Sequence, residues 1–132
     1  MVGIILISHG KLAEGLLDAG KMIYPNIENV ETVMLSNMEG IEKFTFELKK
    51  TIDGLITCEE VLLMCDLQGG SPYNVSLELA IKKYSNKNIR VISGLNLPMF
   101  LEIIAMRDTA NLEELVNIAI QTGKESIFAP EI

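Results

Sequence analysis

The sequence predicts an α/β fold: a doubly wound, four-stranded parallel sheet in the order 2-1-3-4, with helices on both faces and a short C-terminal edge strand. Three observations lead there. Four short apolar runs rich in Val and Ile are spaced along the chain: VGIILIS at 2–8, NVETVMLS at 29–36, EVLLMCD at 60–66 and IRVISGL at 89–95. Between them lie segments whose apolar residues recur every three or four positions. Strands alternating with helices call for right-handed crossovers, and these set parallel strands side by side with a helix packed over each connection.

Each element has its own justification. The first, third and fourth runs are nearly continuous, as expected of strands buried on both faces and central in the sheet. The second alternates, with Val30, Thr32 and Met34 opposed to Glu31, Val33 and Leu35, which suits a strand nearer an edge. Leu12, Leu16 and Ile23 begin a less regular first helix. Ile41, Phe44, Leu48, Ile52 and Leu55 mark the second, and Leu112, Leu115, Val116, Ala119 and Ile120 mark the last. Ser71-Pro72 reads as a cap followed by proline at the first helical position, Asn111 with Glu114 as a capping pair, and Gly123 as a helix stop. The predicted order is βαβαβαβαα with a short tail.

Composition narrows the function. The 132 residues make one domain of ordinary size, with 48% hydrophobic and 22% charged residues. No apolar run approaches the ~20 residues of a membrane span, and the opening MVGIILIS lacks the basic region and cleavage site of a signal peptide. A cytoplasmic protein is expected, with Cys58 and Cys65 as reduced core thiols, since there is no CxxC and only one histidine. The net charge of −7 argues against nucleic acid. Small molecules or protein partners remain.

In open parallel sheets, ligands bind at the carboxyl ends of the strands, where chain order reverses. Those ends carry Ser8-His9-Gly10, Ser36-Asn37, Asp66 with its GGSP loop, and Gly94 to Pro98. In the order 2-1-3-4 the first and third strands are neighbours across the switch point, so His9 and Asp66 can face each other. A lone histidine is more often structural than reactive, and an aspartate at a strand end is also a common cap or turn residue. Together they offer more. If Asp66 accepts a hydrogen bond from Nδ1, the tautomer is fixed and Nε2 keeps a free lone pair for attack. Gly69 and Gly70 let the backbone turn back and offer N–H groups to an anion, and Ser71 adds a hydroxyl. A glycine pair also serves a tight turn alone, and GxxxxGK[ST] is missing, so this is no nucleoside triphosphate loop. Asn96 and Tyr73 could line the same mouth, or act as a cap and a wall. A nucleophilic imidazole, a carboxylate orienter and a small anion cradle suggest a histidine that accepts and passes on a phosphoryl group.

Taken together, SHG after the first strand, DLQGGSPYN after the third, SGLNLPM after the fourth and QTGK near the end resemble the IIA domain of the mannose-family sugar phosphotransferase system (PTS). The resemblance covers nearly the whole chain. It implies that His9 is phosphorylated at Nε2, that Asp66 is its hydrogen-bonded partner and that the loop from Gln68 through Gly69 and Gly70 to Ser71 shelters the phosphoryl group. It further implies a relay from the carrier HPr to a IIB protein, with membrane subunits IIC and IID reached indirectly, no metal or cofactor, and a homodimer in which the tail crosses to a partner. A dihydroxyacetone-kinase donor subunit is related, but its loop after the third strand reads differently from GGSP. A receiver domain would need an acidic pair after the first strand, where SHG has none, and a flavodoxin-like binding module would use the switch point without covalent chemistry.

Overall fold

The computed structural model describes all residues, Met1–Ile132. Its sheet is built from β1 (Gly3–His9), β2 (Val30–Leu35), β3 (Glu60–Cys65) and β4 (Asn88–Ile92). All pairings are parallel and the order is β2-β1-β3-β4, as the sequence predicts. The helices are α1 (Leu12–Ile23), α2 (Gly40–Gly54), α3 (Ser71–Glu78), α4 (Leu97–Met106) and α5 (Leu112–Glu125), with a π-helical turn, Leu79–Lys83, continuing α3.

Alternation along each strand divides the core in two. Ile4, Leu6, Leu62 and Met64 face one way, against α1, α4 and α5, around Phe100, Ile103, Leu115 and Val116. Ile5, Ile7, Val61, Leu63 and Cys65 face the other, against α2 and the α3 segment, around Phe44, Leu48, Ile52 and Leu79. Because β1 and β3 are covered on both faces, they read as unbroken apolar runs. The β4 run is also nearly unbroken, yet β4 is an edge strand like β2, pairing only with β3. Helices flank even this edge, so its side chains are half-buried on both faces. Both cysteines are free and buried.

Three local readings need adjustment. The N-cap of α3 is Gly70, with Ser71 the first helical residue and no side-chain capping bond. Gly123 does not end a helix: α5 runs on to Glu125, and Gly123 is buried inside it, where an added Cβ would stand 2.7 Å from Cε of Met99. The glycine serves close α4–α5 packing. The tail at 127–132 forms no strand within this chain. By contrast Asn111 and Glu114 make the full reciprocal capping box at the start of α5. No helix is long and apolar enough to cross a membrane.

Candidate active site

The carboxyl ends of β1 and β3 bring His9 and Asp66 together. Ile7 pairs with Cys65 in register, and Asp66 N–H donates to Ile7 O at 3.0 Å, so the two strand ends are locked level with each other. His9 Nδ1 lies 3.0 Å from Asp66 Oδ2, and the same oxygen accepts the His9 backbone N–H at 2.9 Å. A carboxylate oxygen only accepts, so Nδ1 is the donor in this contact, and in the neutral ring that tautomer leaves the lone pair on Nε2. The histidine side chain is 46% exposed while that of Asp66 is 12% exposed, so the carboxylate sits behind the ring and the ring faces outward. The other carboxylate oxygen, Oδ1, is buried without a protein partner.

The loop from Leu67 to Gly70 passes beside the ring. Gly69 adopts φ +79°, a left-handed conformation that glycine takes without strain. Gly70 has φ −73°, which any residue adopts; what glycine gives here is space, since an added Cβ would stand 3.0 Å from His9 Cε1 and 3.5 Å from Nε2, crowding the ring. Gly70 N–H donates to Leu67 O at 3.4 Å, and Asn74 donates to the loop through its backbone (Gly70 O, 3.0 Å) and side chain (Gly69 O, 3.3 Å). The N–H groups of Gln68 and Gly69 take no backbone acceptor. Backbone donors without an acceptor at a turn leading into a helix can receive an anion. Gln68 and Ser71 are exposed at the rim.

The other residues named from sequence sort differently. Asn96 is the cap of α4, accepting from Met99 N–H at 3.0 Å and donating to Gly123 O at 3.3 Å. Tyr73 is half-buried against the α2-side core. The sequence reading assigned nothing to Ser8, although it is fully buried immediately before His9 and bonds both Gly10 and α1. A polar residue in the apolar run IILISH is the one signal that marks it. None of the larger hollows in the surface is lined by His9 or Asp66. The largest, about 990 Å³, lies at the opposite end of the sheet beside Glu60, Asn88 and Tyr84.

Comparison with known proteins agrees with this fold. Residues 3–120 match the EIIA-man family model, described as the PTS system fructose IIA component. The chain is 35% identical over 133 aligned positions to the PTS system mannose-specific EIIAB component of Escherichia coli, covering 97% of this chain and 39% of that protein, so it spans well under half of that relative. It is 36% identical over 115 positions to the PTS system sorbose-specific EIIA component of Klebsiella pneumoniae, covering 87% of this chain and 82% of that one. Among solved structures, the phosphotransferase system component EIIA from Streptococcus agalactiae superposes with a TM-score of 0.89 at 31% identity, over 98% of this chain and 97% of that one. Fold, motif order and these matches converge: the chain belongs to the mannose family of PTS IIA components.

Proposed function

We propose that this chain is a phosphoryl carrier in sugar uptake, a IIA domain over 1–132 that accepts a phosphoryl group from phospho-HPr on Nε2 of His9 and passes it to a IIB component. The observation that carries the proposal is the 3.0 Å contact between His9 Nδ1 and Asp66 Oδ2, which leaves Nε2 as the outward nucleophile. The Nε2 lone pair attacks phosphorus in line, the bond between phosphorus and the donor's imidazole nitrogen breaks, and its electron pair returns to that nitrogen. Nδ1 keeps its proton throughout. Asp66 offsets the positive charge that develops on the ring, while the amides of Gln68 and Gly69, with the Ser71 hydroxyl, take the phosphoryl oxygens. Transfer to IIB reverses the same steps.

That the His9 side chain is 46% exposed and lines none of the larger hollows supports a protein donor and acceptor: a small substrate needs enclosure, whereas a histidine presented to a partner's surface needs access. The membrane subunits IIC and IID are reached through IIB, and the chain works as a homodimer. The test is incubation with phosphoenolpyruvate, enzyme I and HPr, followed by intact mass. One added phosphoryl group is expected, labile in acid and stable in base, and absent from His9→Ala. No gain in mass with a cognate HPr would overturn the proposal.

A further inference from the structure

Only three polar or charged residues are buried in this chain: Ser8, Ser76 and Arg107. Arg107 ties the amino end of the sheet through Val2 O and Glu28 O, far from His9. The two serines lie behind the two loops of the candidate site. Ser76 Oγ donates to Pro72 O at 2.7 Å within α3. Ser8 does something less local. Its hydroxyl donates to Gly10 O at 2.9 Å and accepts the Ala13 N–H of α1 at 2.8 Å, spanning the turn that carries His9.

Burying a hydroxyl is unfavourable unless both its donor and acceptor roles are used, and here both are. Alanine would fill nearly the same space without that demand, so the hydroxyl needs a separate reason. The geometry supplies one. Ala13 N–H belongs to the first turn of α1, where helix amides lack intrahelical acceptors, and the N-cap residue Lys11 makes no side-chain capping bond. Ser8 caps the helix from the strand instead. Its second bond fixes a glycine: Gly10, at φ +56°, is the residue with most freedom to swing, and the bond sets the plane of the Gly10–Lys11 peptide. In a trans peptide that turns the Lys11 N–H to the side opposite Ser8. The turn is thus pinned on three sides, by Ser8 at Gly10 O, by Leu35 O at Gly10 N–H (2.8 Å) and by Asp66 at His9 N–H (2.9 Å).

We infer that Ser8 is a positioning residue for His9: its buried hydroxyl clamps the His9–Gly10 turn to the first turn of α1 and thereby fixes the direction in which the imidazole is presented. The inference rests on the proposed phosphoryl transfer for its effect on rate, and on geometry alone for its effect on the ring.

Ser8→Val and Ser8→Thr make the decisive pair, since they share a shape and differ only in the hydroxyl. Phosphoryl acceptance from phospho-HPr at saturating donor should fall about 10- to 100-fold in Ser8→Val, with the donor KM little changed, because misplacing a reacting group costs rate rather than binding. Ser8→Thr should restore most of the rate. His9 is the sole histidine, so its imidazole NMR signals are unambiguous: the Nδ1–H should exchange faster with solvent in Ser8→Val than in Ser8→Thr. If the added methyl groups prevent folding, Ser8→Ala, which adds no bulk, is compared with the parent by the same two readouts. Identical imidazole exchange and identical rates with and without the hydroxyl overturn the clamp. A parent chain that takes up no phosphoryl group refutes the proposed function instead, and the imidazole comparison still judges Ser8.

Discussion

Gly70 and His9 are in contact through the absence of a side chain: a Cβ on Gly70 would stand 3.0 Å from Cε1 of the imidazole. Backbone conformation does not demand glycine here, since φ −73° and ψ 165° suit any residue. Gly70→Ala should therefore keep its stability within about 1 kcal/mol of the parent, yet displace the ring and slow phosphoryl acceptance several-fold or more. Gly69→Ala should show the opposite emphasis: at φ +79° it has open space but a left-handed backbone, and should lose about 1–2 kcal/mol of stability. Denaturant unfolding and single-turnover transfer separate the two. A Gly70→Ala chain transferring at the parental rate would mean that the loop leaves the ring before reaction.

Asp66 Oδ2 accepts two hydrogen bonds from the same residue, the His9 backbone N–H and ring Nδ1–H. Asp66→Asn retains one neutral acceptor oxygen but loses the charge, so the fold should survive while transfer slows. Losing one charge-assisted hydrogen bond costs on the order of 1.5–3 kcal/mol, or about 10- to 100-fold in rate. An unchanged rate in Asp66→Asn would reduce Asp66 to a turn residue.

The fold was legible because burial writes itself into periodicity. IILI in β1 and VLLMC in β3 are unbroken because both faces of a central parallel strand are covered, and VETVML in β2 alternates because that edge is partly wet. The pairing of His9 with Asp66 followed from topology, once the two strands were set side by side. One periodic reading misled: the β4 run is nearly unbroken although β4 is an edge strand, because helices flank it on both faces. The other readings that needed correction concern features with no periodic signature. Gly123 in TGK looks like a stop, and only the approach of Met99 from another helix shows it to be a packing position. Ser71 has the composition of a cap, but the chain places Gly70 at that position. Ser8 carries no periodic signal either: its hydroxyl is satisfied by groups two and five residues ahead, a pairing that only the folded turn creates.

Two helical glycines should respond differently to alanine. At Gly20 in α1 a Cβ would meet Phe100 Cε2 at 2.6 Å, against a fully buried ring with no room to retreat. At Gly123 it would meet Met99 Cε at 2.7 Å, the mobile end of a flexible side chain. Alanine gains up to about 1 kcal/mol of helix propensity at either position. Overpacking costs about 1–3 kcal/mol where the neighbour cannot yield. Gly20→Ala should therefore destabilise and Gly123→Ala should be near neutral. Equal shifts in unfolding midpoint would contradict this account of the two helix contacts.

Cys65 sets an alkaline limit on stability. Burial pushes its thiol up from 9.0 to about 11, with the nearby Asp66 charge adding to the rise and the Ser76 hydrogen bond opposing it. Folding thus favours the protonated thiol. That contribution is complete below pH 9, where the unfolded thiol is still protonated, and is lost progressively as pH rises toward about 11. Burial and the hydrogen bond to Asp53 likewise raise the Tyr84 phenol, so further loss follows at higher pH. Urea unfolding at pH 8 to 11 should show a steeper fall for the parent than for Cys65→Ala, the difference isolating the thiol from the lysines. Iodoacetamide should leave native Cys65 unmodified at pH 8. Parallel pH profiles for parent and variant would refute the assignment.

The tail offers the last test. Beyond α5, Ile127 and Phe128 are 84% and 80% exposed, and residues 127–132 make no strand in their own chain. Both β2 and β4 leave an open sheet edge. Apolar side chains with nothing to cover them and unpaired strand edges are satisfied together if the tail of one copy pairs with an edge of another, a two-fold exchange in which each buried side chain contributes about 1.5–3 kcal/mol. Pro130 donates no ladder hydrogen bond, which restricts the segment to an outermost position. The informative truncation ends at Ser126 rather than earlier, because Ser126 N–H and Oγ bond Thr122 O and Gly123 O and finish α5. Sedimentation should show the full chain as a dimer and the truncated chain as a monomer, or as a poorly soluble one, with helix content unchanged. A truncated chain that stays dimeric would take the tail out of the interface, and a monomeric full-length chain at micromolar concentration would remove the exchange altogether.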